Sequence, residues 1–203
     1  MKPVKQKKRA GFVMIKESVL ERMKKSDKSS KGSVDDEVLP LCNAINRLNG
    51  LATTSSCSGR ISVVKGEEGE KTRNAWLFKS HTPVNMIDLL SIKLPQDLTL
   101  FKMEGAIIHV ACESIEKAKK LIEASKSAGI KRAAIISLRE NKIMVEIISG
   151  ESLCFPYSIN KKLLISQEHL EICLEVANKK LRRAREKLKK LENAIIPVAK
   201  NLS

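Results

Sequence analysis

The chain has 203 residues, enough for one substantial core, and its 38 lysine and arginine residues against 23 aspartate and glutamate residues give a formal net charge of +15. This charge points to a polyanionic partner such as nucleic acid, with acidic lipid as the competing polyanion. The apolar runs fall far short of the roughly 20 residues that span a bilayer, and no apolar signal core opens the chain. We therefore expect a soluble cytoplasmic protein with no membrane partner.

Cysteine and histidine spacing disfavours two common kinds of site. The 5 cysteines are scattered without a CxxC pair, and the 3 histidines are far apart in sequence. We therefore expect neither a disulfide framework nor a bound metal. Cys42, Cys112 and Cys173 lie among aliphatic residues and are expected in the core. Neither GxGxxG nor GxxxxGK[ST] occurs, so the common glycine-rich nucleotide loops are missing.

The N-terminal segment is predicted to form a basic arm followed by two helices. Residues 1–10 are rich in lysine and arginine with little to bury, which predicts a mobile arm. Helical spacing of apolar residues predicts a first helix from Met14 to Lys25. After a polar loop, Ser33 and Asp36 fit a capping box that would begin a second helix over residues 35–49. The predicted buried stripe of that helix is Val38, Leu41, Cys42, Ile45 and Leu48.

The run Thr53–Arg60 (TTSSCSGR) is the most unusual segment of the chain. Its threonines favour extended structure before it and Ile61 favours it after, so the middle is predicted to be a tight break between two strands. Small side chains and a glycine let a backbone approach a ligand, hydroxyl and N–H groups can hold an anion, and Arg60 can bind a carboxylate or phosphate. An ordinary serine and glycine turn is the alternative.

Two strands, residues 60–65 and 74–81, are predicted to form a hairpin joined by a charged, glycine-containing turn. Trp76 lies on the second strand. It is interpreted either as a core anchor or as an exposed platform for an adenine or a tRNA base.

Beyond the hairpin, a short helix is predicted near residues 84–91, followed by a strand pair, Leu98–Glu104 and Ala106–Cys112, hinged at Gly105. Ser114 is predicted to cap a helix that runs to about Ser127. Three further strands are expected at 132–138, 142–148 and 152–156.

A long helix, predicted over residues 167–195, closes the chain. Its apolar residues alternate spacings of four and three, a heptad seam suited to packing along the body or against another helix. Between Lys179 and Lys190 it carries many lysines and arginines and a single glutamate, which indicates a phosphate-contacting surface, with a solvated face as the alternative. We expect one domain over residues 11–196 and a tail at 197–203.

Several short motifs, taken in their order along the chain, make this sequence distinctive. They are Asp27–Asp36 (DKSSKGSVDD), Thr53–Ile61 (TTSSCSGRI), Trp76–His81 (WLFKSH), Lys102–Cys112 (KMEGAIIHVAC), Gly129 after the central helix, and Ala177-Asn178. In this order they resemble the tRNA wybutosine-synthesising protein 3 family over nearly the whole chain. The chain departs from the family at Ala133-Ala134, where a Ser-Gly pair is frequent.

The resemblance implies an S-adenosylmethionine-dependent methyltransferase. It would methylate N4 of the 7-(3-amino-3-carboxypropyl)-4-demethylwyosine base at position 37 of tRNA-Phe, so its partner would be the anticodon region of that tRNA. The implied fold is α/β (α+β), with a mixed, partly closed β-sheet surrounded by helices and a long basic C-terminal helix. This fold is not the classical Rossmann methyltransferase fold, in agreement with the missing GxGxxG.

Methyl transfer from a sulfonium depends mainly on alignment, which can supply on the order of 7–11 kcal/mol, and a general base for the departing proton can add about 10²–10⁴-fold. Asp27 is the first choice for that base, with His81 and Glu104 in reserve as catalytic residues. The residues expected to bind the cofactor are Ser55, Ser56, Cys57, Ser58, Gly59, Arg60 and Trp76. The residues expected to bind the substrate are Lys31, Ser33, Lys102, His109, Lys179, Arg182 and Arg183.

Two rival functions remain open at this stage. A non-catalytic RNA-binding protein would use the basic arm and helix, and binding of S-adenosylmethionine would distinguish it from the methyltransferase. A cysteine hydrolase would use Cys57, His81 and Glu104 as a triad, although nothing in the sequence places Cys57 at a helix N-terminus. The oligomeric state, and whether the last helix packs in cis or between subunits, are also open.

Overall fold

The computed structural model describes residues 4–25, 35–66, 76–139 and 142–200. In chain order the elements are α1 (Val4–Lys25), α2 (Leu39–Arg47), β1 (Leu51–Cys57), β2 (Arg60–Lys65), β3 (Trp76–Ser80), α3 (Met86–Leu90), β4 (Thr99–Glu104), β5 (Ile107–Cys112), α4 (Ile115–Ser127), β6 (Arg132–Arg139), β7 (Lys142–Ile148), β8 (Ser152–Ile159), β9 (Lys162–Leu163) and α5 (Gln167–Lys200). Among these described helices, none combines the length and apolar character needed to cross a bilayer.

The chain folds into two compact units. The first comprises Met1–Ser58, Ala106–Gly150 and Arg185–Ser203, and the second comprises Gly59–Gly105 and Glu151–Ala184. Each unit has its own antiparallel sheet and its own hydrophobic core.

The sheet of the first unit has the strand order β1-β5-β7-β6. Side chains alternate between its faces, so Ile108, Val110 and Val145 point into a core shared with α2, α4 and the last turns of α5. Ala111 points to the opposite face, where it packs with Phe12 and Val19 of α1. One face of this sheet is therefore fully covered, and α1 covers part of the other.

The sheet of the second unit has the strand order β3-β2-β4-β8-β9. Ile61, Phe101 and Tyr157 form its core together with the apolar side of the first turns of α5. The Tyr157 hydroxyl donates a hydrogen bond to the Leu89 carbonyl at 3.1 Å, and burial raises the pKa of Tyr157. The buried Tyr157 hydroxyl therefore keeps its proton, and that proton has a hydrogen-bond acceptor inside the core.

The predicted hairpin, the short helix, the Ser114-capped helix and the three later strands are all confirmed, whereas the predicted strand pair hinged at Gly105 is wrong. Both strands exist, but β4 pairs with β2 and β8, and β5 pairs with β1 and β7. The Gly105 N–H donates to the Glu151 carbonyl, and the chain enters the other unit at Ala106 and its sheet at Ile107. Gly105 therefore lies in a crossover between sheets instead of a hairpin turn.

The predicted capping box of α2 is also wrong. The helix begins at Leu39 with Val38 as its N-cap and no side-chain cap, and Pro40 occupies its first turn, where a missing N–H costs nothing. The Asp35 carbonyl accepts the N–H groups of Val38 and Leu39 instead. Ser33 itself lies outside the described residues. The predicted buried stripe of α2 is confirmed.

The chain ends differ in secondary structure from the predicted arm and tail. Residues 4–10 lie within α1 and residues 197–200 lie within α5. The described elements form two compact units. The assignment of residues 11–196 to a single methyltransferase domain stays a prediction.

The heptad seam of α5 is buried along its whole length within this one chain. Its members are Leu170, Leu174, Ala177, Leu181, Ala184, Leu188, Leu191 and Ile195. The first four contribute to the core of the second unit, and the last three contribute to the core of the first. The sequence left open whether this helix packs within its own chain or between subunits, and the described seam is buried within its own chain.

We expect Asn178→Ala to lower the free energy of unfolding by about 1–3 kcal/mol. The Asn178 side chain accepts the Val84 N–H at 3.0 Å and donates to the Val84 carbonyl at 2.8 Å, so its loss leaves both groups without their partner. Urea denaturation followed by circular dichroism would measure the change. Asn193→Ala, at an exposed position of the same helix, is the matched control, and an equal effect in both variants would contradict the prediction.

Candidate functional site

The serine run is largely strand, and the predicted tight break is confined to two residues. Ser55, Ser56 and Cys57 belong to β1 and lie opposite residues of β5. The register shifts between Thr53 and Ser55, where the Thr54 hydroxyl donates to the His109 carbonyl at 3.2 Å. Small polar residues form a strand here because their hydroxyl groups bond to the neighbouring strand.

Only Ser58 and Gly59 form the break between β1 and β2. The Ser58 N–H and hydroxyl both donate to one carboxylate oxygen of Asp35, at 3.0 and 3.3 Å, and the Ser58 side chain is fully buried. Gly59 has φ 97°, a left-handed conformation that side chains disfavour. Asp35 was not predicted as a site residue. Its only sequence signal is its place in the DKSSKGSVDD motif.

A hydrogen-bonded row of three side chains crosses the open face of the first sheet. Ser55 Oγ lies 2.8 Å from His109 Nδ1, and His109 Nε2 lies 3.0 Å from Glu146 Oε2. The strand register places the three residues directly opposite one another on β1, β5 and β7. We call this set the Ser-His-Glu row. Sequence reasoning had selected Ser55 and His109 but missed Glu146, whose alternating strand pattern gave no functional signal.

In the second unit, predicted site residues converge around Arg60. Its Nε donates to Glu104 Oε2 at 2.7 Å, and its guanidinium carbon lies 4.6 Å from the centre of the Trp76 ring. Lys79 Nζ lies 5.9 Å from the same centre. The Trp76 residue is 44% exposed, so the core-anchor interpretation is wrong. We call Arg60, Trp76 and Glu104 the arginine group.

Two further predicted residues of the second unit lie on the same strands or beside them. His81 Nδ1 lies 3.1 Å from the Gly59 carbonyl, just after the end of β3. Lys102 and Glu104 alternate with buried residues on β4, so both project to one half-exposed face. Glu104, which the hydrolase hypothesis takes as the acid of its triad, pairs with Arg60 at 2.7 Å.

The contacts described above do not include six other predicted site residues. Asp27, Lys31 and Ser33 lie outside the described residues. Lys179, Arg182 and Arg183 are exposed on α5, opposite its buried seam.

Two other cations of the same helix have structural partners. Arg185 contacts Glu37 at 3.2 Å, and Lys187 donates to the Ser149 carbonyl at 2.9 Å. The basic run of α5 is thus partly a structural contact and partly an exposed face.

The buried thiols are unsuited to nucleophilic chemistry. Burial raises the pKa of Cys112 to about 12 and also raises that of Cys42, so both stay protonated at neutral pH. The predicted core position is confirmed for these two cysteines. Cys173 is only half-buried, because the seam of α5 turns its neighbour Leu174 inward instead.

Comparison with known families identifies the chain's relatives. The sequence model described as Methyltransferase TYW3 matches residues 14–196. A Pyrococcus horikoshii protein named tRNA(Phe) 7-((3-amino-3-carboxypropyl)-4-demethylwyosine(37)-N(4))-methyltransferase 1 is 38% identical over 168 residues, which cover 81% of this chain and 86% of the relative. A protein of the same name without the final number, from Methanocaldococcus jannaschii, is 31% identical over 169 residues, with 81% and 88% coverage.

Solved structures agree with the sequence comparison. A Pyrococcus horikoshii protein superposes with a TM-score of 0.86 at 34% identity and covers 92% of this chain and 97% of its own. A hypothetical protein from Aeropyrum pernix gives a TM-score of 0.69 at 25% identity, with 81% and 98% coverage. The match extends over nearly the whole of each chain, and the α+β arrangement with antiparallel sheets confirms the predicted non-Rossmann fold class. The chain therefore belongs to the TYW3 family of methyltransferases.

Proposed function

We propose that this protein transfers a methyl group from S-adenosylmethionine to N4 of the 7-(3-amino-3-carboxypropyl)-4-demethylwyosine base at position 37 of tRNA-Phe. The observation that carries the proposal is the match, over 81% of this chain, to relatives named for this activity at 31% and 38% identity. The reaction would take place in the cytoplasm, where the basic chain can meet tRNA. The anticodon region is the part of the tRNA that it would contact.

The arginine group has the chemistry that S-adenosylmethionine requires. That cofactor presents an adenine ring, a ribose diol, a carboxylate and an ammonium group. The exposed Trp76 ring suits the adenine, Arg60 suits the carboxylate, and Glu104 suits the ribose hydroxyls or the ammonium. The Arg60 and Glu104 side chains retain 30% and 46% of their accessible surface, so both can contact a ligand while paired. The donor and acceptor set therefore fits the cofactor.

When bound, S-adenosylmethionine supplies an electrophilic methyl group that needs no covalent help from the protein. The chain's own residues have to hold the acceptor nitrogen in line and accept its proton. Asp27, the first choice for the base, stays a prediction because it lies outside the described residues. His81, half-buried beside the Gly59 carbonyl, stays in reserve.

The exposed cations of α5 are suited to the tRNA backbone. Lys179, Arg182 and Arg183 lie on the solvent side of the helix, and the whole chain carries +15. Contacts with phosphates release counterions, so affinity should fall steeply as salt rises. Lys31, Ser33 and Lys102 complete the substrate-binding set as predictions.

The test is transfer of labelled methyl from S-adenosylmethionine to tRNA-Phe isolated from a strain that lacks this gene, with the modified nucleoside identified by mass. Incorporation into the tricyclic base is the expected result. Methylation of another nucleoside would change the substrate. If the tRNA binds but neither methyl transfer nor cofactor binding occurs, the proposal fails and an RNA-binding role replaces it.

A further inference from the structure

A cavity of about 700 Å³ lies within the first unit, between α1 and the two segments that lead into β1 and α4. Its volume falls in the range of about 300–1,000 Å³ that is usual for small-molecule sites. Val13, Lys16 and Leu20 belong to the wall on α1, and Gly50 and Lys117 belong to the facing wall. The residues that line the cavity have no part in the proposed methyl transfer, so its occupant is a separate question.

The α1 wall of the cavity combines apolar side chains with a cation. Phe12 and Val19 of this helix pack on the sheet. Val13, Lys16 and Leu20, which are spaced three and four residues apart, share the side that lines the cavity. Val13 and Leu20 remain 45% and 38% exposed. They therefore offer an apolar surface on which a flat ring can pack.

Two lysines bring positive charge to the cavity. Lys16 is half-buried, and its ammonium group donates one hydrogen bond to the Leu48 carbonyl, which leaves two hydrogens for other acceptors. Burial and then the charge of Lys117 lower the pKa of Lys16, whereas the charge of Glu113 raises it. Lys117 itself pairs with Glu113 at 2.8 Å. An anion placed between the two ammonium groups would relieve the repulsion between them.

The missing side chain of Gly50 makes room for the ion pair on the facing wall. Gly50 has φ 71°, and a Cβ atom there would come within 2.5 Å of Glu113 Oε2 and closer still to Lys117 Nζ. The Gly50 carbonyl also accepts the Glu113 N–H at 2.9 Å. The ion pair therefore lies directly over the glycine backbone, at the wall of the cavity.

We infer that this cavity binds a nucleotide whose phosphate lies between Lys16 and Lys117. Its base packs against Val13 and Leu20. A phosphate monoester carries about −1.5 to −2 charge at neutral pH, which two ammonium groups can balance. Glu17 also lines the cavity, and its carboxylate can accept hydrogen bonds from the ribose hydroxyls. S-adenosylmethionine has no phosphate, so this ligand is distinct from the methyl donor and the inference goes beyond the proposed function.

Isothermal titration calorimetry of the whole protein with AMP tests the inference. We expect one saturable site per chain, and adenosine, which lacks the phosphate, should bind about tenfold more weakly. Lys16→Gln should weaken AMP binding by about 10- to 100-fold. Lys126→Gln removes the same charge from an exposed position on α4 and should stay within about twofold of wild type. No binding of AMP, equal affinities for AMP and adenosine, or equal affinities of wild type and Lys16→Gln would overturn the inference.

A second pair of variants keeps both lysines in place. Val13→Trp should weaken AMP binding by about tenfold or more, because the larger side chain occupies the volume that the base needs. Met14→Trp is the matched control, since it adds the same side chain to the next residue of α1, which is 71% exposed and does not line the cavity. Equal affinities of these two variants for AMP would contradict the inference even if Lys16→Gln fails to fold.

Competition distinguishes the two possible sources of the phosphate, a free nucleotide and an RNA strand. A short single-stranded RNA that displaces AMP and binds more tightly than AMP assigns the phosphate to RNA, whereas weaker displacement assigns it to a free nucleotide. If Arg60→Lys abolishes AMP binding while Lys16→Gln and Val13→Trp retain it, AMP occupies the arginine group and the inference is wrong. Displacement of AMP by S-adenosylmethionine would also overturn it, because the ligand would then not be distinct from the methyl donor.

Discussion

Replacing Leu191 by aspartate is expected to unfold the first unit of the protein. Leu191 is fully buried in the core of that unit between Leu188 and Ile195. A carboxylate placed there without a partner costs several kcal/mol in addition to the lost apolar contacts, and total stability is usually only about 5–15 kcal/mol. The milder Leu191→Ala should cost about 2–5 kcal/mol and leave a folded protein whose loss can be measured.

Urea denaturation followed by circular dichroism would measure both variants. Lys190→Asp is the matched control, because it changes the neighbouring exposed residue of the same helix to the same side chain. We expect that control to stay within about 1 kcal/mol of wild type. Equal unfolding curves for Leu191→Asp and Lys190→Asp would show that the seam of α5 does not support the core of this unit.

The seam of α5 could be predicted because helical periodicity is local. Apolar residues spaced three and four apart define one side of a helix before any partner is known, and every predicted seam residue is buried. The pairing of the strands was harder to predict from the sequence. β4 and β5 read as a hairpin because they are adjacent in sequence, but strand partners are chosen by contacts far away along the chain, here β2 and β8 for β4.

The site shows the same division between local and distant information. Arg60, Trp76 and Glu104 were each selected from the sequence, but the fold brings them together. The register of β2 with β4 places Arg60 opposite Glu104, and the Arg60 side chain reaches the ring of Trp76, which lies opposite Val64. Glu146 was missed because a half-exposed glutamate on a strand is ordinary until its neighbour is known to be His109. Chemistry-bearing residue types are visible in a sequence, whereas the partners that orient them depend on the fold.

Substitutions in the arginine group should have large catalytic effects. We expect Arg60→Lys to lower kcat/KM for methyl transfer by about 10- to 100-fold, because a charged hydrogen bond contributes about 1.5–3 kcal/mol. Lysine keeps the charge but loses the planar group that donates to Glu104 and stacks on Trp76. Binding of S-adenosylmethionine by calorimetry should weaken by a similar factor, since the group is proposed to hold the cofactor.

The neighbouring strand positions supply a control for this substitution. Lys65 lies on the same strand β2 and forms an exposed ion pair with Asp97 at 2.8 Å. An exposed pair contributes little, so Lys65→Ala should change kcat/KM by less than about twofold. Equal losses for Arg60→Lys and Lys65→Ala would reduce Arg60 to one more basic residue of a positively charged surface. If Arg60→Lys loses turnover while cofactor affinity is unchanged, Arg60 binds the substrate's aminocarboxypropyl carboxylate instead, and the proposed division of ligands within the site must be reversed.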